Sequence, residues 1–577
     1  MEWIRRDCPA EALAELEALP ALDPLRARLL AVRGVRAGTL DEFLVPQPAH
    51  LSPPEILPGA VQAAETIIRH AAAAGHIVVF GDYDCDGICA SAILHRTLEA
   101  VWPGVSSVFI PKRLEEGYGM STPSVARMLA EHPDVSLVVT VDNGIGSAAE
   151  VAMLAGKGVE CIVTDHHLPG SGIPQCIVVN PKVSAPPRLS GLCGAGVAFM
   201  IARAVVSAAR RLGAYSGANV AGPLLVLAGL ATVGDLMPLD GENRTIVSLA
   251  LSRFDSLAPV GLKELLLRAS RSAPVSLGAV DFSFRLVPRI NADGRLGDAS
   301  TALALLLTSD REESRRMAME VDLRNTERKN IEKKMTERAM SSVRSGVPAQ
   351  VIALEDGHRG VSGIAAARIL DSLPAAEKVP VAVIVGHHGS ARAPDGWNVR
   401  DALDSASAAL SSFGGHAAAG GFTVRDGMLD EFARLFRDAC AAQLGSAESG
   451  ADATPYDAEI ALKDVTPDLA EWIGSLEPFG EGNPVPVFLA RNVFISEARP
   501  FGQDGRHLQF KVRVTHPLRA VWWNRGDEVE RVRLHSSRPF DILFKISLSC
   551  YGEPHPELDI VAVKPSRQPA GTVSLEA

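Results

Sequence analysis

Four short runs rich in Val and Ile, IVVF (77–80), SLVVTV (136–141), ECIVT (160–164) and CIVVN (176–180), alternate with stretches of helical pattern. Runs of this length with helices between them predict βαβ units and a parallel sheet buried on both faces. The residues after the runs narrow the chemistry. One run opens into Gly81-Asp82-Tyr83-Asp84-Cys85-Asp86-Gly87, the next into Asp142-Asn143-Gly144, and the third into Asp165-His166-His167. An apolar helical stretch near 224–233 ends in Gly234-Asp235. Ligands of open parallel sheets bind beyond the carboxyl ends of the strands. Asp82, Asp84, Asp142 and His166 therefore gather there, and Asp235 can join them from the adjoining helix.

Taken singly, an Asp at a strand end is more readily a helix N-cap, and an Asp-His-His tripeptide can be turn chemistry. Taken together, so many carboxylates in one crevice repel each other severely, and divalent metal removes the conflict. Mixed Asp and His ligation without thiolate suits Mn²⁺ or Mg²⁺ better than zinc. A carboxylate able to bridge, here Asp84 or Asp142, suits a two-metal site with ions about 3.5–4 Å apart, which holds a phosphate and activates water.

Composition removes several classes. With 47% apolar and 22% charged residues the chain is neither disordered nor collagen-like. The longest apolar stretch, Val220 to Gly234, contains Pro223 and three glycines and falls short of the roughly 18–20 residues of a membrane span. Eight cysteines without a CxxC pair make neither a disulfide framework nor a zinc ribbon. With no apolar h-region at the N-terminus, the expectation is a reduced, cytoplasmic protein. Abundant Ala and Arg with little Lys hint at a GC-rich bacterial genome. The net charge of −11 argues against a chain that coats nucleic acid, yet residues 491–577 hold thirteen Lys/Arg against ten Asp/Glu.

Farther along, 310–345 lacks Gly and Pro and alternates charge densely, which predicts one long exposed helix. A second α/β region follows, with QVIAL (350–354), a helix around 362–371, VPVAVIVG (379–386), Ser390 and Arg392 in a Gly-rich turn directly after that strand, and a helical tail ending near Gln443. Gly414-Gly415-His416 reads as the opening of an Ala-rich helix, 417–419, whose free N–H groups a phosphate can approach; a tight-packing turn is the alternative. Residues 445–457 read as a linker, and the β-patterned segments after them as a small barrel or sandwich. There Phe501, Phe510, Trp522 and Trp523 lie among arginines, as in stacking surfaces for single strands. Adjacent on a strand, Trp522 and Trp523 face opposite ways, so at most one is a platform.

DYDCDG, VDNGI, TDHH and VGDLMPL, in this order, resemble the four motifs of the DHH phosphoesterase superfamily. GHRGVSGIAAARI (357–369), GSARAPDGWNV (389–399) and FGGHAAAGGF (413–422) resemble its DHHA1 domain. PFGEGNPVPVF (478–488) with GRHLQFKV resembles the OB-fold of the RecJ family of single-strand-specific 5′→3′ exonucleases, and IPKRLEEGYG (110–119) and PRINADGRLGDAS (288–300) fit that family too. The resemblance implies a multidomain α/β protein. Its parts are an N-terminal helical or linker segment (1–55), a DHH domain with a parallel sheet (56–309), a connecting helix (310–345), a DHHA1 α/β domain (346–444), a C-terminal OB-fold β-barrel (455–567) and a tail (568–577).

The same resemblance implies metal ligands at Asp82, Asp84, Asp142, His166 and Asp235, with His167 as a companion that orients or protonates; the role of Asp86 stays open. It implies a 5′-phosphate pocket from Arg113, Ser390 and Arg392, to which guanidinium–phosphate pairing lends physical sense. Arg289, Arg295, Gly414, Gly415 and His416 complete the implied substrate-binding set. Without the motifs, Arg113 reads as a surface ion pair with Glu115 or Glu116, and Arg392 as one with Asp395. The implied cofactor is a pair of Mn²⁺ or Mg²⁺ ions. The implied partners are single-stranded DNA, a single-stranded-DNA-binding protein and a RecQ-type helicase, with a monomer, no membrane and a role in DNA repair and recombination. Three rivals stand beside this reading: a DHH phosphodiesterase of short oligoribonucleotides or cyclic dinucleotides, a binding protein that has lost catalysis, and a manganese pyrophosphatase. The first and third have no need of residues 455–565, and the second should lack ligands present here.

Overall fold

The computed structural model describes residues 2–566 apart from 118, 171, 219, 271–276, 375–376, 445–452, 514–516, 535–537 and 550–553. Most of the expected linker and the whole 568–577 tail therefore lie outside the described residues. The chain forms two units: 51–237 with 241–450, and 1–50 with 238–240 and 451–577. No helix of the described residues is long and apolar enough to cross a membrane.

In the larger unit, β1 (His76–Phe80), β2 (Ser106–Phe109), β3 (Val135–Val141), β4 (Glu160–Thr164) and β5 (Ile177–Val179) form a wholly parallel sheet in the order β2-β1-β3-β4-β5. The order reverses direction between β1 and β3. That is the switch point at which a doubly wound sheet opens a crevice, and β1 and β3 are the strands that end in Asp82 and Asp142. Buried helices α1 (Cys85–Val101) and α2 (Gly194–Arg211) pack against the sheet, and α3 (Ala221–Gly234) packs on both of them. α3 is apolar on every face, so it belongs inside. α4 (Val287–Leu296) precedes the long α5 (Arg311–Met340), which starts on an Asp310 N-cap. α5 is not a free connector, for Val321, Asn325, Met335 and Ala339 are buried.

A second sheet of this unit takes β6 (Gln350–Leu354), β7 (Val381–Val385), β8 (His388–Arg392), β9 (Leu410–Gly415) and β10 (Ala419–Val424) in the order β9-β10-β8-β7-β6, with α6 (Ser362–Ser372) against it. Two expectations are corrected here. Ser390 and Arg392 lie on a strand rather than in a turn. Residues 413–422 form a β-hairpin rather than a helix start, with Gly415 paired to Gly420. Gly415 has φ +133°, and a Cβ on it would fall 2.3 Å from the Ala419 carbonyl oxygen, so it serves the turn.

The smaller unit holds a seven-stranded mixed sheet ordered Ala458–Glu459, Phe488–Val493, Phe540–Leu548, Pro556–Pro565, Leu518–Trp522, His507–Val512 and Ile495–Phe501. The first fifty residues are part of it. Trp3–Arg5 pairs in parallel with Thr454–Tyr456, Leu29 enters the same core as Phe488, Phe510 and Phe544, and Arg33 Nε donates to Asn483 Oδ1 at 2.9 Å.

Candidate active site

The acidic loop after β1 is built by helix capping. Asp84 Oδ1 accepts from Asp86 and Gly87 N–H, both at 3.0 Å, and so caps α1. Asp86 turns to the neighbouring helix, accepting from Gly194 and Ala195 N–H at 2.7 Å and neutralising the positive end of α2. Asp86 thus acts first as an anchor. Gly87 lets Asp82 lie against α1, since a Cβ there would fall 2.5 Å from Asp82 Cβ. Gly194 does the same for Asp142 at 2.5 Å. Asp142 itself sits at φ +62°, an uncommon backbone state outside glycine that clusters at functional sites.

These constraints bring the predicted ligands together. Coordinating atoms of Asp82, Asp84 and Asp142 lie within 4.8 Å of one another, as do those of Asp142, His166 and His167, and those of Asp86, His166 and Asp235. His166 Nε2 lies 3.1 Å from Asp142, 3.6 Å from Asp235 and 3.7 Å from Asp86. Asp142 belongs to both the acidic group and the histidine group, which favours it over Asp84 as the bridge. Both carboxylate oxygens of Asp82 are buried without a hydrogen-bond partner among the described residues. An orphaned buried carboxylate is costly unless a cation meets it, so the donor set fits divalent metal.

Electrostatics agree. Burial, then neighbouring Asp84, pushes Asp82 far above the usual carboxylate range; burial, then Asp86, Asp84 and Asp82, does the same for Asp142. Asp235 is pushed up to about 8 by burial and by Asp86 and Asp84. Burial holds His166 below its ordinary value and so keeps it neutral. Burial opposes the charge on His167 too, but its hydrogen bond to Asp165 and that residue's charge carry it up to about 9. Asp165, not singled out from sequence although it opens the tripeptide, accepts from His167 Nδ1 at 2.7 Å and from the N–H groups of His166, His167 and Ile145. It is the brace of the pair.

Beside the acids is a cavity of about 170 Å³ lined by Asp82, Tyr83, Asp84, Arg113, Asn291 and Arg295. The Arg113 guanidinium lies 4.9 Å from the centre of the Tyr83 ring. Glu116 pairs with Arg127 at 2.6 Å and Glu115 with Lys112 at 3.8 Å, so the described pairs leave the ion-pair alternative for Arg113 unsupported. Burial, then Arg113, lowers Arg295 to about 10, and the same two causes lower Arg392. Ser390 and Arg392, two apart on β8, share the face toward α6: Ser390 Oγ is 2.9 Å from Ser362 Oγ, and a Cβ on Gly363 would fall 2.8 Å from Arg392 Nη2. Arg392 has no carboxylate partner among the described residues, Asp395 included. Arg289 is not brought to this group, as its Nε donates to Asp322 at 2.8 Å. His416 is exposed at the β9–β10 turn, and no described contact joins it, Gly414 or Gly415 to the acids.

In the smaller unit Trp522 is buried and Trp523 is 52% exposed, dividing as their alternation requires. Phe510 is core. Trp523 lies 4.9 Å from His507 and 5.8 Å from Phe501, centre to centre, forming an aromatic surface.

Comparison with known proteins agrees with this geometry. Family profiles match residues 76–228 (DHH family, N-terminal domain), 346–442 (DHHA1 domain) and 456–560 (RecJ OB domain). The single-stranded-DNA-specific exonuclease RecJ of Thermus thermophilus is 36% identical, over 83% of this chain and 68% of the relative. That of Dickeya dadantii is 34% identical, over 86% of this chain and 88% of the relative. The crystal structure of Thermus thermophilus RecJ in complex with Mn²⁺ superimposes with a TM-score of 0.82 at 30% identity, covering 99% of this chain and 81% of that one. With acids, histidines and arginines at the matching motifs, the chain belongs to the RecJ family of single-stranded-DNA-specific exonucleases.

Proposed function

We propose that the protein removes nucleotides from the 5′ end of single-stranded DNA, releasing mononucleotides, with Asp82, Asp84, Asp142, His166 and Asp235 holding two Mn²⁺ or Mg²⁺ ions. The observation that carries this is the buried carboxylate of Asp82, without a hydrogen-bond partner among the described residues and grouped with Asp84 and Asp142. RecJ from Thermus thermophilus, crystallised with Mn²⁺ and with Mg²⁺, supports the choice of ion. When bound, the ions supply positive charge to the scissile phosphate and lower the pKa of water. The protein's own contribution is positional. Asp142 would serve both ligand groups, Asp84 couples its ligand role to the start of α1, and Asp165 orients the His167 ring, which would hand a proton to the leaving oxygen. Arg113, Arg295, Ser390 and Arg392 receive the 5′-terminal phosphate, which carries more charge than an internal diester and so defines the end being cut. Trp523 with Phe501 stacks bases of the incoming strand. Arg289 braces α4 against α5 in this reading, and His416 with its two glycines touches strand farther from the acids.

We place this activity in the bacterial cytoplasm, in a monomer working in DNA repair with a single-stranded-DNA-binding protein and a RecQ-type helicase. The test offers end-labelled single-stranded DNA, duplex DNA and a dinucleotide, each with Mn²⁺. Release of mononucleotides from the single strand alone is expected. Exclusive turnover of the dinucleotide would favour an oligonucleotide phosphodiesterase instead.

A further inference from the structure

Helix α4 presses on the acidic loop: a Cβ on Gly294 would fall 2.3 Å from the Tyr83 carbonyl oxygen. Nearly one turn earlier, Asn291 Oδ1 accepts from Cys85 N–H at 2.6 Å. Cys85 is the first residue of α1, so its N–H has no partner inside the helix. The next two N–H groups are taken by Asp84, and Asn291 completes the cap from 206 residues away. A side-chain amide has one acceptor end and one donor end. A backbone N–H only donates, so Oδ1 must face Cys85 and Nδ2 must face elsewhere. Asn291 is half-buried and lines the cavity with Asp82, Asp84, Arg113 and Arg295, and among the described contacts Nδ2 donates to no protein atom.

We propose that Asn291 Nδ2 donates to an oxygen of the substrate's 5′-terminal phosphate, making Asn291 a substrate-binding residue that spans the acidic loop and the arginines. This rests on the phosphodiesterase reading above. The chemistry suits the position. With α1's first N–H groups already capped, the backbone there has little left to offer an anion. A further cation would add to the repulsion among Arg113, Arg295 and Arg392, whereas a neutral amide adds a directed donor without charge. One amide then links phosphate occupancy to the placement of Asp84.

Two variants of the full chain separate the two ends of the amide. Asn291→Asp keeps an acceptor for Cys85 N–H and replaces the donor with an oxygen; Asn291→Ala removes both. The measurements are kcat and KM on 5′-phosphorylated and 5′-hydroxyl strands, and the rise in Tm on adding Mn²⁺. For Asn291→Asp we expect the preference for the phosphorylated strand to fall roughly 10- to 100-fold, mainly through KM, as loss of a bond to a charged group implies. Its Mn²⁺ response should not fall, since the acceptor for Cys85 N–H is kept and a carboxylate is added. Asn291→Ala should lose the preference and also part of the Mn²⁺ response. An unchanged preference in Asn291→Asp overturns the proposal, as does equal loss on both strands together with the Mn²⁺ response, which would mark a cap alone. If wild type cleaves neither strand, the hydrolase reading fails instead. Calorimetric binding of a 5′-phosphorylated trinucleotide to wild type and Asn291→Asp then decides the donor, equal affinities overturning it.

Discussion

An acidic and a basic cluster meet at the small cavity, through Asp82 and Asp84 on one side and Arg113 and Arg295 on the other, and face the same problem with opposite signs. At one end Asp82, Asp84, Asp142 and Asp235 crowd together; at the other Arg113, Arg295 and Arg392 do. Their escapes differ. Buried carboxylates can take up protons, and burial together with their acidic neighbours pushes Asp82, Asp142 and Asp235 toward doing so in the metal-free fold. Arginine keeps its proton even at the lowered value near 10 of Arg295. The acidic end is thus a site that pH can silence, and the basic end one that only an anion can satisfy.

The deepest break in this symmetry is Asp142→Ala. It should lower kcat on single-stranded DNA with Mn²⁺ by about a thousandfold or more, since several kcal/mol of charge stabilisation depend on the bridge. Metal-free Tm should hold or rise, because the cost of burying that carboxyl and forcing it to keep a proton is gone. Activity above a tenth of wild type would refute the bridge. At the basic end, Arg392→Ala should cost about 10- to 100-fold in kcat/KM on 5′-phosphorylated strands, from charge-assisted bonds of about 1.5–3 kcal/mol, and far less on 5′-hydroxyl strands. Retention of the full preference would remove Arg392 from the pocket. Trp523→Ala belongs to neither end. It should weaken binding to a long single strand about tenfold, within the roughly 1–3 kcal/mol of a stacked base, and leave kcat on a trinucleotide untouched.

The smallest effect is thermal. Asp235 rises from 3.8 to about 8 in the metal-free fold, so between those values the native state binds more protons than the unfolded chain. Metal-free stability should therefore fall as pH climbs through that window. The Tm gain from Mg²⁺ or Mn²⁺ should grow over the same range, by a few degrees. A gain independent of pH between 5 and 8 would separate the acids from the metal.

What local pattern carries was legible: the Val/Ile runs became β1, β3, β4 and β5, and the acids after them converged. Ser106–Phe109 was missed, since two serines in four residues leave little apolar signal. His388–Arg392 looked like a turn because of its glycine, yet it pairs back on β7 through a two-residue connection. Three alanines after His416 suggested a helix, but paired glycines on both sides permit a tight hairpin. Asn291 and Asp86 act through backbone groups more than a hundred residues away, where sequence spacing carries no information.

The pairing of Trp3–Arg5 with Thr454–Tyr456 has a consequence for biosynthesis. The earlier of these two strands must wait for a partner about 450 residues later, roughly 20–90 s at 5–20 residues per second. During that delay Ala27, Leu30 and Ala31 can pack on Ala12, Leu16 and Val35, but Leu29 lacks the core of Phe488, Phe510 and Phe544, while the entire intervening unit can complete itself. The larger unit can thus fold before residues 1–50 meet the strand at Thr454–Tyr456 that completes their sheet.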